Sequence, residues 1–300
     1  MTRVAVIGAS GFVGRAVCVS LRDRGAEVVA VSAPRLTTTA RTVAELLDDL
    51  ETRAQTVGEL RDRLRDVDAV VNAAGLATAG GAGDELFGAD ALLPGLVASA
   101  APGGARVVHV SSAAVQGSRP SLDESLGHEA FSPYSRAKAL GESVTLRVRP
   151  DAICFRPTSV QGPGRDVTRT LVKVASSPLA SVAGAGARPT PQVLVENVGD
   201  AVAFVTLTEQ QPPSVVLQPA EDLTAADLVR ILGDREPKHL PTPLARSVVR
   251  VTGTLGRRSG AFAALSRRLE MLWFGQDQSP GWLQGRWSPP LGREGWERLR

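Results

Sequence analysis

The sequence predicts an α/β fold: a doubly wound parallel sheet followed by a smaller, mostly helical C-terminal lobe. Three observations carry that prediction. Short apolar, β-rich runs alternate with helix-period stretches from Val4 to Phe155, in the order βαβαβαβαβ. The first run leads through Gly8-Ala9-Ser10-Gly11-Phe12-Val13-Gly14 into a helix, the context that raises a glycine motif above coincidence. Beyond Gly162-Pro163-Gly164 the alternation lapses, which marks a change of architecture. The expected division is 1–165 for the sheet domain, with 193–217 rejoining it, and 166–300 for the lobe.

Val4–Ile7 reads as a buried parallel strand, because it is apolar throughout. In the turn that follows, Gly8 allows the tight bend, Gly11 lets the backbone approach a pyrophosphate, and Gly14 lets the helix Arg15–Arg24 lie close on the strand. With Ser10, Phe12 and Val13 they form a candidate dinucleotide-binding turn of Rossmann type, at which the helix N-terminus favours an anion. Glu27–Val31 is the second strand. A carboxylate at its end would accept the ribose 2′-hydroxyl of NAD, whereas an arginine suits the 2′-phosphate of NADP. Ser32-Ala33-Pro34-Arg35 offers no acid and one arginine, so NADP is favoured over NAD, with Ser32 and Arg35 at the discriminating position.

Thr42–Arg65 is helical in period, breaks near Thr56-Val57-Gly58, and crosses to a third strand, Ala69–Val71. Asn72-Ala73-Ala74-Gly75 ends that strand on the sheet edge where ligands bind, and its small residues leave room for a cofactor. Leu76–Asp84 reads as a flexible glycine-rich loop, and Glu85–Ala100 as a helix kinked at Pro94. Arg106–Val110 is the fourth strand and ends in Ser111-Ser112-Ala113-Ala114, whose hydroxyls either bond a substrate oxygen or cap the loop. A loop over Arg119–Ala130 leads to the helix that carries Tyr134 and Lys138, and Ala152–Phe155 is the fifth strand, stopped by Arg156-Pro157.

The lobe is expected to contain a helix over Val167–Ala175 and a Gly/Ala/Pro loop over Val182–Pro191 that carries Arg188. A strand at Val193–Val195, a helix at Val198–Leu207 and a strand at Ser214–Leu217 are expected to return to the sheet, and Thr224 to cap a helix with Asp227 three residues on. Pro241–Phe274 interleaves Arg246, Arg250, Arg257, Arg258, Arg267 and Arg268 with apolar residues. A membrane-surface helix would need one long amphipathic face. Gly253, Gly256 and Gly260 interrupt it, so two helices with solvated arginines are the favoured reading. Trp282, Trp287 and Trp296 predict a packed tail, since disordered tails are poor in aromatics.

Composition narrows the function. The chain has 300 residues, 43% hydrophobic and 22% charged, with a net charge of +3, which is ordinary for a soluble globular protein and implies no nucleic-acid partner. Cys18 and Cys154 lie in apolar runs and read as reduced core residues; with His109, His128 and His239 scattered, no metal site is expected. There is no signal-peptide pattern and no apolar run long enough for a membrane span, so a cytoplasmic protein is expected.

The chemistry concentrates in Phe131–Glu142. Tyr134 is the only tyrosine, and Lys138 is one of three lysines among 34 basic residues. Four residues apart on a helix, they share a face. An ammonium beside a phenol stabilises the phenolate, and such a pair can give and take a proton at a carbonyl or alcohol. Alone, this spacing arises often by chance; the glycine turn upstream and the serines at a strand end supply its context.

Taken together, GASGFVG (Gly8–Gly14), NAAG (Asn72–Gly75), VVHVSSAAVQG (Val107–Gly117), PYSRAK (Pro133–Lys138) and RPTSVQGPG (Arg156–Gly164) resemble the extended short-chain dehydrogenase/reductase family of nucleotide-sugar epimerases, dehydratases and reductases. VLVENVGDAV (Val193–Val202) and the C-terminal GWLQGRWSPPLGREGWERL also fit, so the resemblance covers essentially the whole chain. It implies that Tyr134 is the acid/base, that Lys138 holds the nicotinamide ribose, and that Ser112 orients the substrate oxygen. It also implies cofactor contacts from Ala73, Ala74, Gly75 and Pro157, substrate contacts from Ser159 and Arg188, and a homodimer through the helices Glu85–Ala100 and Tyr134–Arg147.

The departures bear on the substrate. Gln116 and Gln161 stand where the resemblance implies tyrosines, Asp90 and Ser159 where it implies asparagines, and Thr190 near an expected arginine for which Arg188 is the nearest substitute. Ala113-Ala114 follow Ser112 where a 4,6-dehydratase would carry an acid pair, and Asp123 and Glu124 lie too far along to replace it. A sugar-nucleotide 4-ketoreductase is therefore expected, with a 4-epimerase holding NAD tightly as the alternative. A non-catalytic dinucleotide-binding sensor is a further one, disfavoured by the retained Tyr–Lys pair.

Overall fold

The apolar runs of the first half form strands, and helix-period segments join them. The computed structural model describes residues 1–76, 83–256, 266 and 269–300. The chain opens with β1 (Arg3–Ile7), α1 (Phe12–Asp23) and β2 (Glu27–Val31), and crosses through α2 (Val43–Glu51) and α3 (Ala54–Arg63) to β3 (Ala69–Asn72). Next come α4 (Asp84–Phe87), a π-helical turn over Gly88–Leu92, α5 (Leu93–Ala100) and β4 (Arg106–Val110). A short β5 (Ser121–Leu122) precedes α6 (Pro133–Val148) and β6 (Ile153–Arg156). The second half holds β7 (Ser159–Gln161), α7 (Asp166–Ala175), β8 (Ser181–Ala183), β9 (Gln192–Leu194), α8 (Val195–Leu207), β10 (Val215–Leu217), α9 (Ala225–Gly233), β11 (Lys238–Leu240), α10 (Thr242–Gly256) and β12 (Asp277–Gln278), with a last helix at Arg293–Glu297.

Six parallel strands make the central sheet in the order β10-β6-β4-β3-β1-β2, and helices cover both faces: a Rossmann-type doubly wound α/β fold. One face is closed by α2, α3, α5 and α6 over Ile7, Val70 and Val107. The other is closed by α1 and α8 over Val4, Val6, Val71 and Phe155, with Leu283 and Trp287 of the tail added. Strands buried on both faces need no alternation, which is why they read as continuous apolar runs.

Several elements differ from the sequence expectation. α1 starts at Phe12, three residues early, because the glycine turn itself ends in helix. The crossover breaks at Thr52–Arg53 rather than near Gly58, after a Thr42–Glu45 capping box has started α2. The bend before α5 is the π-helical turn, and Pro94 sits in the first turn of α5, where a missing N–H costs nothing. β9 pairs with β7 and not with the central sheet, so of the stretch 193–217 it is α8 and β10 that reach the sheet. The start of the expected loop at Val182–Pro191 is a strand, β8, paired with β11. Thr224 and Asp227 form the expected capping box, and Arg246 and Arg250 are exposed on α10. Most of the expected loop Leu76–Asp84, together with Arg257, Arg258, Gly260, Arg267 and Arg268, lies outside the described residues.

Every residue of α5 except Ser99 is buried, and Leu50 of α2 and Val144 of α6 close over Gly95. Ala137, Ala139 and Val144 are likewise buried within the chain, which leaves Leu140 and Leu146 partly exposed on α6. The apolar contacts expected between two chains at these helices are thus largely made inside one.

The closest backbone approach lies under the glycine turn. Gly8 has φ +81°, and a Cβ on Gly14 would stand 2.0 Å from the Gly8 carbonyl oxygen. Gly14→Ala is therefore expected to push α1 off β1 and to cost about 1–3 kcal/mol, by analogy with overpacked cores. Urea denaturation would check it, and an unchanged midpoint would contradict the close packing.

Candidate active site

Consecutive parallel strands deliver their C-terminal ends to one edge, and the candidate residues gather there. A cavity of about 400 Å³ opens along it. Gly11, Phe12 and Val13 from the first turn line it, as do Ala73, Ala74 and Gly75 after β3, Ser112 after β4, Tyr134 and Lys138 on α6, and Pro157 and Ser159 after β6. Gly8 and Gly14 lie behind this wall, and Ser10 is exposed beside it. Ser32 and Arg35 are exposed beyond the end of β2 and do not line the cavity.

Local signals place the Tyr–Lys pair. Ser132 caps α6, its hydroxyl accepting from Ser135 N at 3.1 Å while Ser135 Oγ accepts from Ser132 N at 2.9 Å, and Pro133 occupies the first turn. Tyr134 thus lies in that first turn, and Lys138 is carried one turn deeper. The Lys138 ammonium is buried; it donates to the Val110 carbonyl at 3.2 Å and meets Asp90 Oδ1 at 3.1 Å. Burial alone would lower the Lys138 pKa, but Asp90, Tyr134 and Glu142 outweigh it and the net shift is upward from 10.5. The Asp90 carboxyl is itself raised, by burial first, against the pull of the Lys138 charge. The proton of the pair stays on Lys138.

Two buried groups stand behind the pair. His109 Nδ1 lies 3.4 Å from Asn72 Nδ2; burial first, then the charge of Lys138, holds its pKa to about 3, so it is neutral. Glu142, one turn beyond Lys138, receives Arg156 through Nε at 2.9 Å and Nη2 at 2.6 Å, and His128 Nε2 lies 2.8 Å from its carboxylate. Burial works against its ionisation, yet hydrogen bonds from Arg156 and His128 and the Arg156 charge lower its pKa to about 2.

Ser112 makes the loop cap that its sequence position allows. Its Oγ accepts from Ala114 N at 3.2 Å, capping a 3₁₀ turn over Ala113–Gln116, and its O–H remains able to donate into the cavity. Gln116 and Gln161 are structural ties. Gln116 donates to Asp123 Oδ1 at 2.6 Å and accepts from Asp123 N at 3.0 Å, while Gln161 donates to Gln192 at 2.6 Å and accepts from Thr168 at 2.8 Å.

Arg188 is a correction. It is 66% exposed, pairs with Asp277 at 3.6 Å, and does not line the cavity. Thr190 is buried. The guanidinium that does line the cavity is Arg165, directly after the Gly162-Pro163-Gly164 turn, set 5.1 Å over the Phe12 ring and bonded to the Val160 carbonyl. Met271 and Gln276 also enter from the lobe, and Gln276 donates to the Arg119 carbonyl at 2.9 Å. Sequence reading missed all three; a cation beside a strand-end turn was the one available signal, for Arg165.

The residues present fit a dinucleotide. The first turn of α1 has no side-chain cap, so its N–H groups face the glycine turn free to meet a pyrophosphate. Lys138 and Tyr134 line the same cavity. Among the described residues no cluster suited to a metal ion occurs, and no helix is long and apolar enough to cross a membrane.

A profile described as the NAD dependent epimerase/dehydratase family matches residues 4–209. No curated protein matches the chain. Solved structures are similar to it in fold. The human epimerase family protein SDR39U1 (isoform 2) with NADPH has a TM-score of 0.66 at 20% identity, over 99% of both chains. The dTDP-4-dehydrorhamnose reductase of Bacillus anthracis str. Ames, in complex with NADP, gives 0.63 at 15% identity over 100% of this chain and 98% of that one. The UDP-glucuronic acid 4-epimerase of Bacillus cereus, in complex with NAD, gives 0.63 at 15% identity over 99% and 96%.

Proposed function

Since the chain belongs to the NAD-dependent epimerase/dehydratase family, we propose that it is an NADP-dependent reductase acting at the carbonyl of a nucleotide-linked sugar, a 4-ketoreductase. The observation that carries this reading is the cavity, where Ser112, Tyr134 and Lys138 meet. Among its described lining residues the one carboxylate is Asp90, which is bonded to Lys138 and not free to abstract a proton from substrate. Ala113 and Ala114 stand where elimination would need an acid. Reduction with NADP is favoured over epimerisation with retained NAD by Arg35, which is exposed and makes no ion pair among the described residues, and by the absence of an acid at Ser32.

A bound NADPH supplies the hydride to the carbonyl carbon. The protein's part is protonic and positional. Ser112 donates its O–H to the carbonyl oxygen. Tyr134 gives that oxygen its phenolic proton as the carbonyl becomes an alcohol. Lys138, with one N–H on Asp90 and one on Val110, has a third to offer the nicotinamide ribose. Arg165 offers a cation to a phosphate or carboxylate at the same wall.

NADPH oxidation followed at the nicotinamide band, with a panel of 4-keto nucleotide sugars, tests the reading; no consumption with any of them would overturn it. Arg35→Ser is expected to raise the KM for NADPH about tenfold, as loss of one charge-assisted contact to phosphate, and to leave that for NADH unchanged. Equal effects on both would show that Arg35 does not read the 2′-phosphate.

A further inference from the structure

The most unusual group at the site is a carboxylate with no hydrogen-bonding work beyond the catalytic lysine and one amide. Asp90 is fully buried in the π-helical turn before α5. Its Oδ1 meets the Lys138 ammonium at 3.1 Å and accepts from Leu76 N at 3.3 Å, while Oδ2 has no hydrogen-bond partner. A Cβ on Gly75 would lie 2.4 Å from Oδ1 and 3.0 Å from Lys138 Nζ, so the pair is packed directly under the cavity floor. A buried carboxylate is expensive unless it is paired, and here the partner is the cation that would otherwise act on Tyr134.

We propose that Asp90 is a positioning residue that neutralises Lys138, so that Tyr134 keeps its proton at neutral pH and the site is set to donate that proton in reduction. An ammonium beside a phenol draws the proton off; an ammonium with a carboxylate 3.1 Å away acts on the phenol as a dipole, with a much weaker pull. The other charges facing the pair do not reverse this. Glu142 lies one turn further along α6 but is matched by Arg156, and His109 beneath Lys138 is neutral. Arg165 also acts electrostatically on Tyr134, and its charge is shared with the Phe12 ring and the Val160 carbonyl. The direction matters chemically. Reduction starts from a phenol that gives up its proton as hydride reaches the carbonyl carbon, leaving phenolate and oxidised cofactor. Oxidation, the first half of an epimerisation, starts from phenolate. The inference rests on Tyr134 being the acid of the proposed reductase, and it supplies a reason within the protein for that direction.

The sequence makes the test direct, because Tyr134 is the only tyrosine: tyrosinate absorbance in the near ultraviolet reports this one phenol. The experiment is an alkaline titration of the full chain without substrate, comparing wild type with Asp90→Asn, which keeps the shape and removes the charge. Tyr134→Phe serves as the blank, and tryptophan emission confirms folding. The expected result is a ratio of tyrosinate to phenol about tenfold higher in Asp90→Asn than in wild type at about pH 9. Asp90→Ser, which also removes the charge, is expected to move the same way. An unchanged or lower ratio in the folded variants would overturn the proposal. Because no substrate is used, the outcome is separate from the reductase reading: a raised ratio in a protein that consumes no NADPH with any keto sugar would sink that reading and leave the role of Asp90 standing.

Discussion

Tyr134→Phe should lower kcat for NADPH-dependent carbonyl reduction by about 10²–10⁴-fold, the usual worth of a positioned general acid. Cofactor affinity should change little. Among the described lining residues the phenol is the acid expected to protonate the product oxygen, since Asp90 is tied to Lys138 and the Ser112 hydroxyl, a far weaker acid, can only hydrogen-bond that oxygen. The phenyl ring keeps the first turn of α6 filled, and the capping box of Ser132 and Ser135 is untouched. A split between kcat and the dissociation constant for NADPH, read from fluorescence titration, checks the assignment. Full turnover in the variant would remove Tyr134 from the chemistry.

Arg156→Met should destabilise the folded chain by about 3–5 kcal/mol, the cost of leaving a buried partner charge alone. Arg156 and Glu142 are 0% and 1% exposed at their side chains, and they meet through two hydrogen bonds. The pH dependence has a definite sign. The Glu142 pKa falls from 4.5 to about 2 on folding, so its contribution is fully present above pH 4.5 and is lost as pH falls through 2. Over that window the wild type should lose about 3 kcal/mol from this group alone. The deficit of Arg156→Met relative to wild type should therefore shrink on acidification, because a protonated Glu142 no longer needs its cation. Urea denaturation at a series of pH values measures both effects. A deficit independent of pH would mean that the pair acts through packing and not charge.

How much of this was legible beforehand depended on the range of each interaction. The glycine turn, the small residues after β3, the serines after β4 and the helical Tyr134–Lys138 spacing are local patterns, and the parallel sheet brings all of their strand ends to one edge. The pairing of Asp90 with Lys138 spans 48 positions and has no local signature; an acid in an otherwise apolar helical stretch was visible, its partner was not. Arg165, Met271 and Gln276 come from segments whose docking against the sheet no local pattern specifies, so only the cation beside a strand-end turn, at Arg165, hinted at the cavity. The three-residue run around Val193 was visible as a strand, but so short a run does not specify its partner, and it pairs with β7 rather than with the central sheet. Gln116 and Gln161 were legible as departures, and only the structure shows that Gln116 holds the Asp123 loop and that Gln161 ties β7 to β9 and α7.

The packed tryptophan tail bears on the order in which the molecule assembles. Leu283 and Trp287 belong to the same hydrophobic cluster as Val4 and Val6 of β1. The Trp287 indole N–H donates to Asp200 at 2.7 Å, the carboxylate that also binds Arg24 at the end of α1, and Trp296 donates to Glu221 at 2.7 Å. During synthesis, the first strand and helix leave the ribosome long before these residues exist. One face of the sheet must therefore wait, incompletely covered, until residues 283–287 are available. Contacts of such long sequence separation slow folding and prolong the exposure of apolar surface, so the nascent chain should depend on chaperones most in the interval before Trp287 emerges.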